Sequence, residues 1–455
     1  MNRNWFVPDP GRLRLRTAAR AVVGIGLAVT ATAAAGMPLA AVVTGGLAAL
    51  LTLFVVQDPT VRRLAVTTGW LPAVALPVLA AATLLEHLPA VRDAAFLLVV
   101  LCGAYARRWG PRGHALGVFA FMMFFVMQFL QATPAELVGL AASVVLGVVV
   151  AAAVRFLLWP IERRDPPPAP VAPPAGRGLR RLTTRQALQV TAACAMAMAV
   201  GHALSDARWY WAVGTAWWIF VNTASRGETL VRGFRRVLGT FSGIAAGMAV
   251  ALPLEGATAA GAAVIAVCVF GLFYTAPVSY SWMMFFVTVM VSILYGLIGV
   301  LTPALLALRA GQTAVGAVSA ALAVAVILPV TTHALTDVWI RRAMDAVRAC
   351  IDAAERHAHG DRHAEPHRHL AEYQALLARA RMTLAPLLHP LNPFAARRAR
   401  ARLILGLLDE CARELRSVCD DERIAARTRV AVEAALAALE PPLDSHPRAP
   451  FVPAA

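Results

Sequence analysis

Hydrophobic positions along this chain fall into long blocks separated by short polar stretches. Apolar runs stand at 18–36, 38–56, 64–85, 93–106, 113–130 and 135–159, and again at 186–204, 209–224, 237–254, 257–275, 279–298 and 302–328. Most approach the roughly 20 residues that a helix needs to cross a bilayer, so the pattern predicts twelve membrane spans. Beyond Pro329 the pattern changes, and from Asp337 to Glu440 charges interleave with Leu, Ala and Val at helical spacing. Helices are predicted near 334–358, 367–388, 394–420 and 422–440, with breaks at Gly360, Pro366, Pro386, Pro390 and Pro393.

The two sets of spans look duplicated. Arg16, Gly45, Gly147 and Pro160 recur at one constant offset as Arg185, Gly214, Gly316 and Pro329. Met122-Met123-Phe124-Phe125-Val126 returns as Met283-Met284-Phe285-Phe286-Val287, slightly out of that offset. An even number of spans per copy gives parallel repeats of the same orientation. The predicted fold is therefore all-α: a polytopic membrane protein of two direct six-helix repeats followed by a cytoplasmic helical bundle. Residues 1–165 form the first repeat, 166–182 a Pro-rich linker, 183–332 the second repeat, 333–440 the helical region and 441–455 a disordered tail. The basic N-terminus and the first apolar run resemble a cleavable signal. A similar segment recurs deep in the chain at 186–204, so the first run is read as a retained span.

Composition supports the membrane assignment. Of 455 residues, 59% are hydrophobic and 15% charged, against about 25% charged in soluble proteins. The net charge is +16 and the chain has no lysine, so every basic side chain apart from histidine is arginine. Arginines crowd alternate loops (Arg62 and Arg63; Arg107, Arg108 and Arg112; Arg163 to Arg185; Arg226 to Arg236), whereas the loops between hold few. By the positive-inside rule, twelve spans with both termini in the cytoplasm fit this alternation, and the excess implies contact with anionic lipid. Nucleic acid is a poor partner, because the arginines are dispersed and no recognition motif is present. The six cysteines include no C-x-x-C pair. No Walker loop, catalytic triad or H-E-x-x-H motif occurs, so neither an enzyme nor a cofactor or metal is expected.

Candidate chemistry centres on Trp211 to Gly247. An aromatic helix (Trp209, Trp211, Trp217, Trp218) is expected to lead into a basic loop carrying Arg226, Arg232, Arg235 and Arg236. A second helix is then expected to open at Gly239-Thr240, with Gly239, Gly243 and Gly247 lining one face for close helix packing. Arg235 and Arg236 before a helix start would suit an anion; an anchor to lipid phosphate is the competing reading. Arg309 lies inside the last span, where a charge costs roughly 2.5–3.5 kcal/mol on insertion scales. It either contacts an anion along a path, snorkels, or bonds helix carbonyls. Arg155 is expected to snorkel, and Trp209, Tyr210 and Trp211 to sit in an interfacial aromatic belt. Trp217, Trp218, Phe220 and Asn222 go deeper and could hold a planar ligand. Phe124, Phe125, Phe285 and Phe286 either contact lipid and helices or line a route. His357, His359, His363, His367 and His369 read as a solvated connector.

Trp211-Ala212-Val213 followed by Gly227-Glu228-Thr229-Leu230-Val231-Arg232-Gly233-Phe234-Arg235-Arg236-Val237-Leu238-Gly239-Thr240 resembles the fusaric acid resistance and aromatic acid exporter superfamily, and distantly the aluminium-activated malate transporters. The resemblance is sharp over 185–329. Over 12–160 it is weaker, with Val56-Gln57-Asp58-Pro59-Thr60-Val61-Arg62-Arg63 in place of the full glycine–arginine motif. It implies two six-span halves, a bacterial cytoplasmic (inner) membrane location and transport of organic anions. Arg232, Arg236, Gly227, Gly239 and Thr240 then occupy motif positions. Some members work with a periplasmic adaptor and others form dimeric channels, so an adaptor or a homo-oligomer stays open. The expected function is export of aromatic or other amphipathic carboxylates. The alternatives are a passive anion channel and a membrane scaffold that docks a partner through its C-terminal helices.

Overall fold

The computed structural model describes Asp9 and residues 12–162, 178–251, 253, 258–329, 332–361, 363–388 and 395–420. Among the described residues the chain is all-α. Twelve helices occupy the predicted spans: α1 (Leu13–Ala34), α2 (Leu39–Val55), α3 (Val61–Leu84), α4 (Pro89–Ala106), α5 (Gly110–Leu130), α6 (Leu137–Glu162), α7 (Leu182–Leu204), α8 (Tyr210–Phe220), α9 (Arg226–Ala251), α10 (Thr258–Thr275), α11 (Tyr280–Leu297) and α12 (Pro303–Val326). Helices α1, α3, α6, α7, α10, α11 and α12, and the joined α4–α5 stretch, are long and apolar enough to cross a membrane. The protein is thus a multi-pass membrane protein.

The chain divides into two compact units. In the larger, α1 packs on α2 and α6, α2 on α6, α4 on α5, and α3 on α5. In the second set, α7 packs on α8 and α12, α8 on α12, and α10 on α11. The first helix of each set packs on the fourth of the other, α1 on α10 and α7 on α4. The glycine face of α9 meets α11: a β-carbon on Gly239, Gly243 or Gly247 would fall within 3 Å of Ser281, Thr288 or Ser292 respectively.

Several expectations need correcting. Helix α8 spans 11 residues, about 16 Å at 1.5 Å per residue, too short to cross hydrocarbon alone. Ten of its residues are buried in protein, Trp218 being half-buried. A helix apolar on every side belongs inside a bundle. Trp209, Tyr210 and Trp211 are likewise core residues, no more than 8% exposed, rather than an interfacial belt. Arg155 does not snorkel; it is buried and its Nη1 donates to the Thr52 carbonyl at 3.3 Å.

The basic segment is helix rather than loop. Helix α9 starts at Arg226, so Arg232, Arg235 and Arg236 lie within it and Gly239 sits mid-helix. The Glu228 amide donates to Ser225 Oγ at 3.4 Å, and Glu228 Oε2 accepts from the Ala224 amide at 2.7 Å. Ser225 thus caps the helix start, while Glu228 reaches back past it to the preceding amide, a variant of the S-x-x-E capping box.

The smaller unit contains residues 223–231 and the chain beyond 329. Its helices α13 (Thr332–Ala358), α14 (Pro366–Leu388) and α15 (Ala395–Asp420) pack pairwise. Trp339, Val347, Tyr373, Leu384 and Leu408 are buried among them, and Tyr373 Oη donates to the Leu408 carbonyl at 2.6 Å. Burial pushes the Cys411 thiol up to about 11, leaving it a packing residue. Pro386 lies inside α14 instead of breaking it, and Pro366 is its first residue. His357 lies in the last turn of α13, His359 and His363 fall in the connector, and His367 and His369 lie in α14. The predicted helix at 422–440, the tail and linker residues 163–177 lie outside the described residues; Gly178–Arg180 form a 3₁₀ turn.

Candidate functional site

The site begins where α8 stops. Its last residues turn extended at Val221, and Asn222 adopts a left-handed φ of 62°. A helix C-terminus leaves unsatisfied carbonyls that carry partial negative charge. Here cations and a phenol cover them. The Trp218 carbonyl accepts from Arg232 Nε at 3.3 Å and from Tyr280 Oη at 3.2 Å. The Phe220 carbonyl accepts from Arg107 Nη1 at 3.3 Å. The Arg232 guanidinium also lies 3.8 Å from the Tyr280 ring centre.

One turn further along α9, Arg236 points inward. It is 7% exposed, and its Nη1 donates to Met284 Sδ at 2.6 Å and to Tyr280 Oη at 3.4 Å. Its Nε meets no hydrogen-bond partner among the described residues. Arg309, 4% exposed on α12, lies over Trp211 with its guanidinium carbon 4.2 Å from the ring centre. Its Nη1 also lacks a partner among the described residues. The indole beneath is held in place, since Trp211 Nε1 donates to Tyr295 Oη at 2.9 Å.

Both arginines line one cavity of about 500 Å³ between α1, α2 and α5 on one side and α8 to α12 on the other. The wall is otherwise made of residues such as Leu47, Phe54, Phe125, Trp218 and Met290. The charged side chains in the described lining are Arg236 and Arg309, with no carboxylate among them. Two guanidinium groups, permanently protonated, therefore share a low-dielectric space without a counter-charge from its wall. Such an arrangement costs free energy in the empty protein and returns it when an anion enters.

The remaining expected site residues divide. Trp218 lines the cavity. Trp217 does not; it stacks on Phe121 with ring centres 4.4 Å apart in the packed core. Asn222 is exposed and its side chain hydrogen-bonds to His114. Arg232 is occupied at the α8 terminus, and Arg235 faces outward. Gly227 lies in the first turn of α9, Thr240 is buried, and Gly239, Gly243 and Gly247 face α11. Phe125 lines the cavity, while Phe124, Phe285 and Phe286 do not. Any affinity of this cavity for an organic anion is accordingly expected to stay within about twofold in Arg235→Ala. Arg236→Ala should weaken it roughly tenfold or more, as read by ligand-induced thermal shift of the purified protein.

Sequence reading did not single out Tyr280, Tyr295, Arg107 or His202. His202 forms a second cluster: its Nε2 is 2.9 Å from Asp93 Oδ2 and its Nδ1 3.3 Å from Asp206 Oδ1. The imidazole stacks on Trp209 at 4.7 Å, and Arg92 pairs with Asp93 at 2.9 Å. A polar cavity of about 390 Å³ lies beside this cluster, lined by Glu86, Arg92, Gln128, Gln131 and Asp206. The fourfold histidine–aspartate spacing of His202 and Asp206 on a helix end was the available signal; the Asp93 partner, 109 positions away, was not.

A family model described as fusaric acid resistance protein-like matches residues 194–323, which run from α7 into α12 and include both cavity arginines. No curated protein and no solved structure matches the chain.

Proposed function

We propose, from the match of residues 194–323 to the fusaric acid resistance protein-like model, that this chain exports aromatic or other amphipathic organic carboxylates across the bacterial cytoplasmic membrane, with both termini inside. The observation that carries this reading is the pairing of Arg236 and Arg309 in one otherwise apolar cavity. A carboxylate supplies the missing charge and accepts from the N–H groups that lack partners. The Trp211 and Trp218 rings offer flat surfaces to an aromatic or alkyl body.

A passive anion channel is the second reading, and the absence of a carboxylate from the described cavity wall favours it, because no acid stands there to exchange a proton. The His202–Asp93–Asp206 cluster favours a proton-driven exporter, since linked histidine and carboxylate side chains between membrane helices are the usual material of proton relays. Reconstitution into liposomes decides between them. The exporter accumulates a carboxylate against its gradient when a proton gradient is imposed. Movement that always runs down the electrochemical gradient, with a reversal potential set by the anion, would establish the channel.

A further inference from the structure

Part of the cavity lining is exposed on the outside of the protein. Among the lining residues, Gly26, Val29 and Thr30 of α1, Leu39 of α2, Ala262 of α10 and Ile298 after α11 are exposed. Gly26 is the fourteenth of 22 residues in α1, about 20 Å along it at 1.5 Å per residue, so it stands on the flank of the bundle and away from the helix ends. A β-carbon on Gly26 would meet nothing within 4 Å. Helices α1 and α10 touch toward the other end, where the Arg14 guanidinium lies 5.0 Å from the Tyr274 ring centre. Gly26 and Ala262, both small, both exposed and both on the cavity wall, therefore place little side chain between the cavity and the outside at that level. Helices α1 and α10 are both long and apolar enough to cross a membrane, so a point midway along their flank falls at acyl-chain depth.

From this geometry, and resting on the carboxylate reading above, we infer that the cavity exchanges its ligand with the bilayer through a lateral mouth between α1 and α10. The ligand class is then an organic anion with a membrane-soluble tail: the charged head sits at Arg236 and Arg309, and the tail lies along the apolar wall toward Gly26. A cavity of about 500 Å³ is in the range that holds one such molecule. A wholly water-soluble anion has no need of an apolar mouth at that depth.

The test uses the full chain in proteoliposomes with two probes, pyrenebutyrate, which partitions into lipid, and benzoate, which stays mainly in water. In Gly26→Leu combined with Ala262→Leu, pyrenebutyrate flux is expected to fall at least tenfold while benzoate flux stays within twofold. Unchanged pyrenebutyrate flux, or an equal fall in both, overturns the mouth. If the double variant fails to insert, Gly26→Leu alone is read, because its side chain enters open space. Independently, a fluorophore on Gly26→Cys should be quenched by lipids brominated along the acyl chain and spared by aqueous iodide; the reverse overturns the inference. A phospholipid that co-purifies and resists displacement by pyrenebutyrate would also overturn it, as a plug. Failure of the carboxylate reading looks different: Arg309→Gln would then leave both fluxes intact, whatever the mouth variants do.

Discussion

Arg309→Gln should raise the melting temperature of the empty protein and abolish its response to organic carboxylates. The two effects share one cause. Arg309 is buried over Trp211 with an N–H lacking a partner, and it shares its cavity with a second guanidinium instead of an acid. Removing an uncompensated buried charge relieves the folded state, by about 2 °C or more in melting temperature. Removing one partner of a buried charge pair with the ligand costs about 2 kcal/mol or more, roughly thirtyfold or more in Kd. Differential scanning fluorimetry with and without ligand reads both, and counterflow of a labelled carboxylate reads transport. A variant that is destabilised, or that still binds and transports normally, would show that Arg309 is structural.

The second large effect is expected at Gly239. A methyl group there would lie 2.3 Å from the Ser281 carbonyl and 2.9 Å from Met284 Cβ. Backbone cannot swing aside as a side-chain tip can, so Gly239→Ala must push α9 away from α11. Overpacking of this kind costs about 1–3 kcal/mol. It also acts on function, because Arg236 is held by Met284 and Tyr280 across the same contact. Thermal stability should fall by several degrees and carboxylate flux by about tenfold. Gly69→Ala is the control: nothing lies within 4 Å of its β-carbon, and helix propensity favours Ala by up to about 1 kcal/mol. Equal behaviour of the two variants would mean that α9 and α11 are not packed face to face.

The spans were legible because apolar runs of bilayer length have few other uses, and the observed helices follow the predicted ones within a few residues at most ends. Helix α9 starts ahead of its arginines, where Ser225-x-x-Glu228 carries the signal for it, whereas a run of arginines between apolar spans reads as a loop by charge alone. The belt assignment of Trp209 to Trp211 failed for a deeper reason. A tryptophan beside a membrane span reads the same whether its neighbours are headgroups or other helices, and here the neighbours are α4, α5 and α11 residues such as Phe96, Phe125 and Tyr295.

Arg235 and Arg236 mark the limit most clearly. They are adjacent and chemically identical, yet one faces outward and the other lines the cavity. Successive residues on a helix point about 100° apart, and the face turned inward depends on where the glycines of α9 meet α11. Composition and periodicity by themselves determined that this chain crosses a membrane many times and carries arginine in it, because transfer from water to hydrocarbon acts residue by residue. That Arg236 and Arg309, 73 positions apart, line one cavity was decided only by tertiary structure. Among helices that are apolar on every side, water no longer distinguishes one packing partner from another, and shape complementarity between distant segments makes that choice.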